Sequence, residues 1–337
     1  MFRSFLTIIA LASAVFGGAA AQAQSVVLYG LIDASGSRTK PAGGDARWQL
    51  DSGNLQHSFL GFRGSEDLGG GLRAVFRLES YLGMDTGTIG RSASDGLFSR
   101  EAHVGLSGAF GTTVLGRTVS PLYLSTVNFN PFGESMAFAP ATRHWFAGAV
   151  LGDRNWNNSL SYTNSAADAP MRVNVAANLH EKTVSSASTG RNYGGSISYI
   201  TGPFAATLAA ERIQNSALGL PVGFDHQVAV QVGATYDFKL LRVYGQVGRV
   251  KTNAASDSKV RLVHVGAAVP LGSSVILVAY GESQTRTPLG RVNDRIASLG
   301  YDYFLSKNTD IYVAAAYQKV TDLSTGSTLA GGIRMRF

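Results

Sequence analysis

Residues 227–238 read QVAVQVGATYDF, and the two sides of this stretch differ along its whole length. Val228, Val230, Val232, Ala234, Tyr236 and Phe238 fall on one side of an extended chain. Gln227, Ala229, Gln231, Gly233, Thr235 and Asp237 fall on the other. Period two marks a strand whose faces meet different surroundings. The same division recurs in 241–248 (LRVYGQVG), where Leu241, Val243 and Val247 oppose Arg242, Tyr244 and Gln246. In 297–304 (ASLGYDYF), Leu299, Tyr301 and Tyr303 oppose Ser298, Gly300 and Asp302. One face is apolar with aromatics towards its ends; the other is polar or small.

Working outward, sixteen such segments run from 26–35 to 327–337, among them 55–64, 98–107, 259–269, 274–283 and 294–304. In 26–35 and 259–269 both faces carry apolar residues. Short connections, such as EDLGGG, GAFG, TGP, LGS and SKN, alternate with longer polar ones at 83–97, 180–190, 213–225, 252–258 and 284–293. The chain ends TLAGGIRMRF, with Leu329, Gly331, Ile333, Met335 and Phe337 on one side and Arg334 and Arg336 on the other. In lipid, an open strand edge leaves backbone groups without partners, so a sheet there must close. Short turns on one rim, long loops on the other and an even strand number predict an all-β fold, a 16-stranded antiparallel transmembrane β-barrel. Arg334 and Arg336 would then point into a wet lumen. The rival is a secreted sandwich or solenoid. A sandwich seldom reaches sixteen strands, and its outer face would carry more charge.

The composition agrees. Of 337 residues, 45% are hydrophobic and 15% charged, with 40 Gly and no Cys, against roughly 25% charged in an average soluble domain. Lacking Cys, the chain has no disulfide framework and no thiolate metal or redox site. Arg3, the apolar run FLTIIALASAVF and then AQA at 21–23 read as a signal peptide over 1–23, cleaved to leave a barrel domain over 24–337. The apolar run is too short to span a bilayer as a helix. Losing Arg3 lowers the formal charge from +7 to +6. The cations are scattered singly, so nucleic acid is not an expected partner.

Several stretches resemble the Gram-negative general porins of the beta-proteobacterial type: SVVLYGLIDAS at 25–35, LGFRGSEDLGGGLRAVFRLES at 60–80, REAHVGLSGAFGTTVLGR at 100–117, GYDYFLSKNTDIYVAAAY at 300–317 and the terminal GGIRMRF. The resemblance spans the chain from the first strand to the last residue. It implies a homotrimer in the outer membrane, each subunit with a water-filled pore for passive diffusion of small hydrophilic solutes and inorganic ions. It implies an inward-folded third extracellular loop that narrows the pore. It also implies that the terminal Phe337, held in outer-membrane lipid, is read by the barrel assembly machinery. That loop corresponds to the stretch between Thr118 and about Trp156, the longest connection. Its turn matches Pro131, Phe132 and Gly133, with Glu134 as the neighbouring acid, and Arg143 follows in the same loop.

By alternation Phe59, Gly61 and Arg63 share one inner face, and Arg73, Arg77 and Glu79 the next. Arg100 matches a pore arginine of the family, yet its parity sets it beside Ala102 and Val104, which look lipid-facing. Phe59 stands where relatives carry Arg. Arg117 matches an arginine at the family's subunit interface. The expected constriction is therefore Phe59, Arg63, Arg73, Arg77, Glu79, Arg100, Pro131, Phe132, Gly133, Glu134 and Arg143, with a weak anion preference.

No catalytic set is expected. The six histidines stand alone, and there is no HExxH, GxSxG, Walker A or strand-linked GxGxxG pattern. Neither metal nor cofactor is called for, and LGGGL at 68–72 reads as a tight turn. Two alternatives remain. One is a substrate-specific channel, in which Phe59, Phe129, Phe132 and Phe138 form an apolar patch at the constriction. The other is a barrel-type outer-membrane hydrolase with a scattered site.

Overall fold

The computed structural model describes residues 25–164, 169–179, 191–214 and 219–337. The expected signal peptide at 1–23 and the loop at 180–190 lie outside the described residues, as does part of the loop at 213–225. Seventeen strand segments form one antiparallel sheet. They are β1 Ser25–Lys40, β2 Arg47–Ser52, β3 Phe59–Gly69, β4 Leu72–Tyr81, β5 Glu101–Gly108, β6 Gly111–Val119, β7 Asn155–Thr163, β8 Met171–Asn178, β9 Tyr193–Thr201, β10 Phe204–Ile213, β11 His226–Asp237, β12 Arg242–Asn253, β13 Ser258–Leu271, β14 Ser274–Thr287, β15 Gly290–Phe304, β16 Thr309–Val320 and β17 Gly326–Arg336.

β1 pairs with β2 from Ala34↔Ser52 upward and with β3 from Leu31↔Phe59 downward, so β2 and β3 are two pieces of one stave. Along its other edge β1 pairs with β17, from Leu31↔Arg336 to Lys40↔Ser327. Sixteen staves thus close into a barrel, and no backbone edge faces lipid. The last residue completes the seam: the Phe337 amide donates to the Gly30 carbonyl (3.2 Å), and the Gly30 amide donates back (3.0 Å).

The faces fall as the alternation predicts. Val230, Val232, Val247, Leu299 and Tyr301 are exposed on the outside, while Gln227, Gln231, Gln246, Ser298 and Asp302 are buried within. Outward aromatics gather near the turn rim (Phe204, Tyr236, Phe238, Tyr303) and again towards the loop rim (Tyr280, Tyr317). Arg334 and Arg336 do point inward, but not into open water. Arg334 bridges Asp302 (2.7 Å) and Asp310 (3.0 Å), and Arg336 also reaches Asp310 (2.8 Å).

The differences from expectation occur where the apolar band ends. β14 and β15 run through most of the expected loop at 284–293, because above the lipid a ladder needs only its backbone bonds and both faces can be polar. The strand expected at 55–64 begins instead at Phe59 and runs to Gly69, after a separate β2. Asp33, fully buried on β1, accepts the amides of Leu55 (2.9 Å) and Gln56 (2.7 Å) and the Tyr312 hydroxyl (2.7 Å), which fixes an excursion between β2 and β3.

Candidate permeation site

The connection between β6 and β7 is not a plain loop. Helix α1, Pro121–Asn128, begins at Ser120, whose Oγ accepts the Tyr123 amide (3.2 Å), with Pro at its first turn. These are ordinary N-terminal signals. From the barrel wall, Glu211 accepts the Leu122 amide (2.8 Å), placing a carboxylate at the positive end of α1. A second short helix, α2, covers Pro140–His144 and continues into a π-turn over Trp145–Ala149.

The side chains of this connection meet inward-facing residues of β10 to β16. The Gln231 amide donates to Thr126 Oγ1 (3.1 Å) and to Gln246 Oε1 (2.6 Å), and Gln246 donates to the Thr126 carbonyl (2.9 Å). Gln227 Oε1 accepts the Leu151 amide (2.9 Å). Glycines admit the bulkier groups. A Cβ on Gly248 would overlap the Trp145 ring, one on Gly266 would lie 2.7 Å from Pro131, and one on Gly300 2.9 Å from Phe132. Phe132 and Phe138 are buried with ring centroids 6.4 Å apart.

Across the lumen, on β1 and β3 to β5, the partners are charged. Glu79 accepts from the Tyr29 hydroxyl and from Arg100 (2.6 Å), and lies 3.8 Å from Arg77. Arg77 reaches Glu101 (3.2 Å), which His103 also contacts (3.0 Å). Arg100 extends to Glu134 of the connection (3.4 Å), and Tyr123 donates to the same carboxylate (3.4 Å). The Arg100 guanidinium lies 4.3 Å from the centre of the Phe59 ring. Burial opposes charge on Arg100, but Glu134 and Glu79 outweigh it and raise its pKa.

Above this arc, Arg91 pairs with Asp95 (3.0 Å) and Asp153 (2.8 Å), and Arg117 with Asp153 (3.3 Å). Arg154 is held by a different set, His57 Nε2 at 3.3 Å and the rings of Tyr81 (5.5 Å) and Tyr123 (5.8 Å). A cavity of about 620 Å³ opens on the loop side beside Arg91, Met136 and Arg154. Another of about 1140 Å³ opens on the turn side beside Leu124, Arg172 and Lys239.

The profile of the Gram-negative porin family matches residues 9–323. The chain belongs to that family. It is similar to outer membrane porin protein 32 of Delftia acidovorans, with 32% identity over 97% of this chain and 93% of that protein. An outer membrane porin protein of Bordetella pertussis is 27% identical over 96% of this chain and 97% of its own length. Among solved structures, the anion-selective porin from Comamonas acidovorans superposes with a TM-score of 0.81 at 28% identity, covering 94% of this chain and all of that one. The protein is accordingly an outer-membrane channel and not an enzyme.

In this porin the expected site residues are divided between places. Phe59, Arg77, Glu79, Arg100 and Glu134 come together in the charged arc. Arg63 sits beside it, opposite Arg77 in the ladder and 4.8 Å from the Tyr29 ring centre. Arg73 is exposed near the turn rim, opposite Asp67. Arg143 is on the other side, donating to Gln318 of β16 (2.8 Å). Burial lowers the Arg143 pKa, with Asp294 acting against that shift. Pro131 and Phe132 pack against Gly266 of β13 and Gly300 of β15, and Gly133 makes the turn, with φ +55° and a carbonyl that accepts the Thr142 hydroxyl (2.7 Å).

Arg100, expected at the constriction although its parity set it beside lipid-facing residues, faces inward, since it precedes β5 and escapes the ladder's alternation. One alternative is corrected. Phe129, Phe132 and Phe138 form no apolar patch at the arc, because all three are buried in the connection's packing. Arg117 is bonded within its own chain, to the Ser99 carbonyl (2.6 Å) and Asn157 as well as Asp153. Sequence reasoning missed Glu101 and His103, which the parity of β5 would have placed inside. It also missed Arg154, for which no local pattern exists.

Proposed function

We propose that this porin passes small hydrophilic solutes with a preference for anions, set where the 120–154 connection narrows the lumen against the β3–β5 wall. The observation that carries this reading is an imbalance of pairing. Glu79, Glu101 and Glu134 each have an arginine partner. Among the described residues Arg63 and Arg154 form no ion pair with a carboxylate; their near neighbours are aromatic rings and the His57 imidazole, and Asp153 acts on the Arg154 guanidinium only through longer-range charge. Fixed positive charge between low-dielectric walls raises the local anion concentration. The Comamonas acidovorans porin, described as anion-selective, supports the same direction. Arg100 contributes less to selectivity than its position suggests, since it braces the connection between two carboxylates. A dedicated ligand site has less support, the connection's phenylalanines being buried.

The assembly proposed is a homotrimer. Outward Trp48 and Leu50, each 76% exposed on β2, are large apolar groups that a subunit contact would cover. Arg117, braced internally, would support that face rather than cross it. Phe337, 47% exposed at the end of the closing strand, is free to serve as the signal read on insertion by the barrel assembly machinery.

Reversal potentials across a planar bilayer in a potassium chloride gradient test the selectivity. Arg63→Ala and Arg154→Ala should each lower the chloride-to-potassium permeability ratio roughly two- to fourfold, the effect of one charge near screened water. Phe59→Arg should raise it. A cation-selective wild type would refute the proposal.

A further inference from the structure

On the turn side of the 120–154 connection, two cavities of about 1140 Å³ and 320 Å³ adjoin, with Leu124, Thr163 and Asn174 lining both. Leu124 belongs to α1, where side chains two residues apart point about 200° from each other. Leu122 is wholly buried in the seat of the helix, so Leu124 turns to the free side and is only half-buried. Asn128, one turn further along that face, is exposed to the larger cavity. Val114, Pro121 and Ala176 extend the apolar lining into the smaller one. An apolar side chain on the wet face of a pore helix stays in water unless a solute covers it.

The charges around Leu124 are unevenly matched. Thr163 donates to Asn174 (2.7 Å), so the polar groups shared by the two cavities satisfy each other. Each lining carboxylate already has partners. Asp237 accepts from Arg242 (2.8 Å) and from the Lys239 amide (2.8 Å). Glu101 is held by Arg77 (3.2 Å) and His103 (3.0 Å). Arg172, opposite Ser198 in the ladder, and Lys239 also line the larger cavity, and among the described residues neither forms an ion pair. We propose that this turn-side chamber is a second solute site, for a carboxylate carried on an apolar ring. The carboxylate meets Arg172 and the ring covers Leu124. An inorganic anion would leave Leu124 in water. A sugar would need an exposed aromatic face to stack on, and Phe129, which also lines the chamber, is only 6% exposed. The site does not depend on the anion preference proposed for the constriction.

Block of single-channel current at pH 7 tests this, with benzoate, acetate and benzyl alcohol as probes. Benzoate should halve the current at a roughly tenfold lower concentration than acetate, the effect of covering part of one ring. Benzyl alcohol should not block. Arg172→Gln should raise the half-blocking concentration of benzoate roughly fivefold, as for one exposed ion pair. Leu124→Asn should bring benzoate to the level of acetate. Arg172 is exposed on the wall, so its variant keeps the test open if Leu124→Asn unseats α1. Arg63→Ala, at the constriction, should leave the ratio of benzoate to acetate block as in wild type. Equal block by benzoate and acetate in the wild type would overturn the proposal, and so would block by benzyl alcohol or an unchanged Arg172→Gln channel. Loss of the benzoate advantage in Arg63→Ala would also overturn it, moving the site to the constriction. A cation-selective wild type that still favours benzoate over acetate would refute the constriction reading and leave the chamber standing.

Discussion

The two halves of the inner wall hold the same 120–154 connection by different physics. Towards β10–β16 the contacts are largely neutral: Gln231, Gln246 and Gln227 bond it, and glycines receive Trp145, Pro131 and Phe132. The ionisable contacts there are Glu211 on the Leu122 amide, Arg143 on Gln318, and His144 with His264 and Asp294. Towards β3–β5 the contacts are ionic, with Arg100 between Glu79 and Glu134. Neutral bonds and close packing fix a position without placing a field in the lumen, and salt scarcely affects them. Ion pairs do both jobs less separably. On the proposed permeation path, the division keeps neutral anchoring away from the solutes and charge beside them.

The largest expected break is on the neutral half. Gly248→Val puts two methyl groups where the Trp145 ring lies, and overpacking of this kind costs about 1–3 kcal/mol. The connection should leave its seat, giving a higher and noisier single-channel conductance. Gly245→Val is the control, since a Cβ there meets nothing within 4 Å; it should conduct like wild type. An unchanged Gly248→Val channel would show that Trp145 does not seat the connection.

A break of comparable energy, with a smaller effect on conductance, is expected on the ionic half. Arg100→Ala leaves Glu79 and Glu134 buried without their shared cation, at a cost of about 3 kcal/mol. Gln246→Ala should cost about 1–2 kcal/mol, two neutral bonds being lost, one from Gln231 and one to the Thr126 carbonyl. Thermal unfolding in detergent measures both, and raising the salt concentration should change the Arg100→Ala difference more than the Gln246→Ala one. Equal salt dependence would remove the distinction between the halves.

How much of this could be read from sequence follows the same line. Most staves inside the lipid band were legible, because each residue there faces either lipid or lumen and period two records the choice; 26–35 and 259–269, apolar on both faces, record it weakly. Arg63, Arg77 and Glu79 were placed by that parity, as Glu101 could have been. The break between β2 and β3 was not legible, since it is fixed by Asp33 on another strand. Nor were the upper ends of β14 and β15, where both faces are wet. The helices of the connection left a local trace in Ser120-Pro121 and Ala139-Pro140. Their seating left little, because it depends on glycines distributed over several staves.

The smallest expected effect sharpens the comparison by pH. At the rim of the ionic half, Asp153 ties the end of the connection to Arg91 and Arg117. Burial favours its protonated form, but the Arg91 hydrogen bonds and both guanidinium charges outweigh that and hold its pKa below the usual carboxylate value. A depressed native value means that Asp153 stabilises the folded form fully above its unfolded value, about pH 4, and loses this as the pH falls through the native value. Asp95, held down in the same way by Arg91, acts in the same direction. Below about pH 4 the rim contact should therefore loosen while the neutral seat persists. Current noise should rise on acidification with little change in mean conductance. On the other half of the connection, His144 lies 3.6 Å from Asp294 and is bonded to His264. The acid-induced noise should be present at neutral pH in Asp153→Asn, with no further rise on acidification, and should survive in His144→Gln. The reverse pattern would assign the acid response to the histidine pair and place the pH-sensitive contact on the otherwise neutral half.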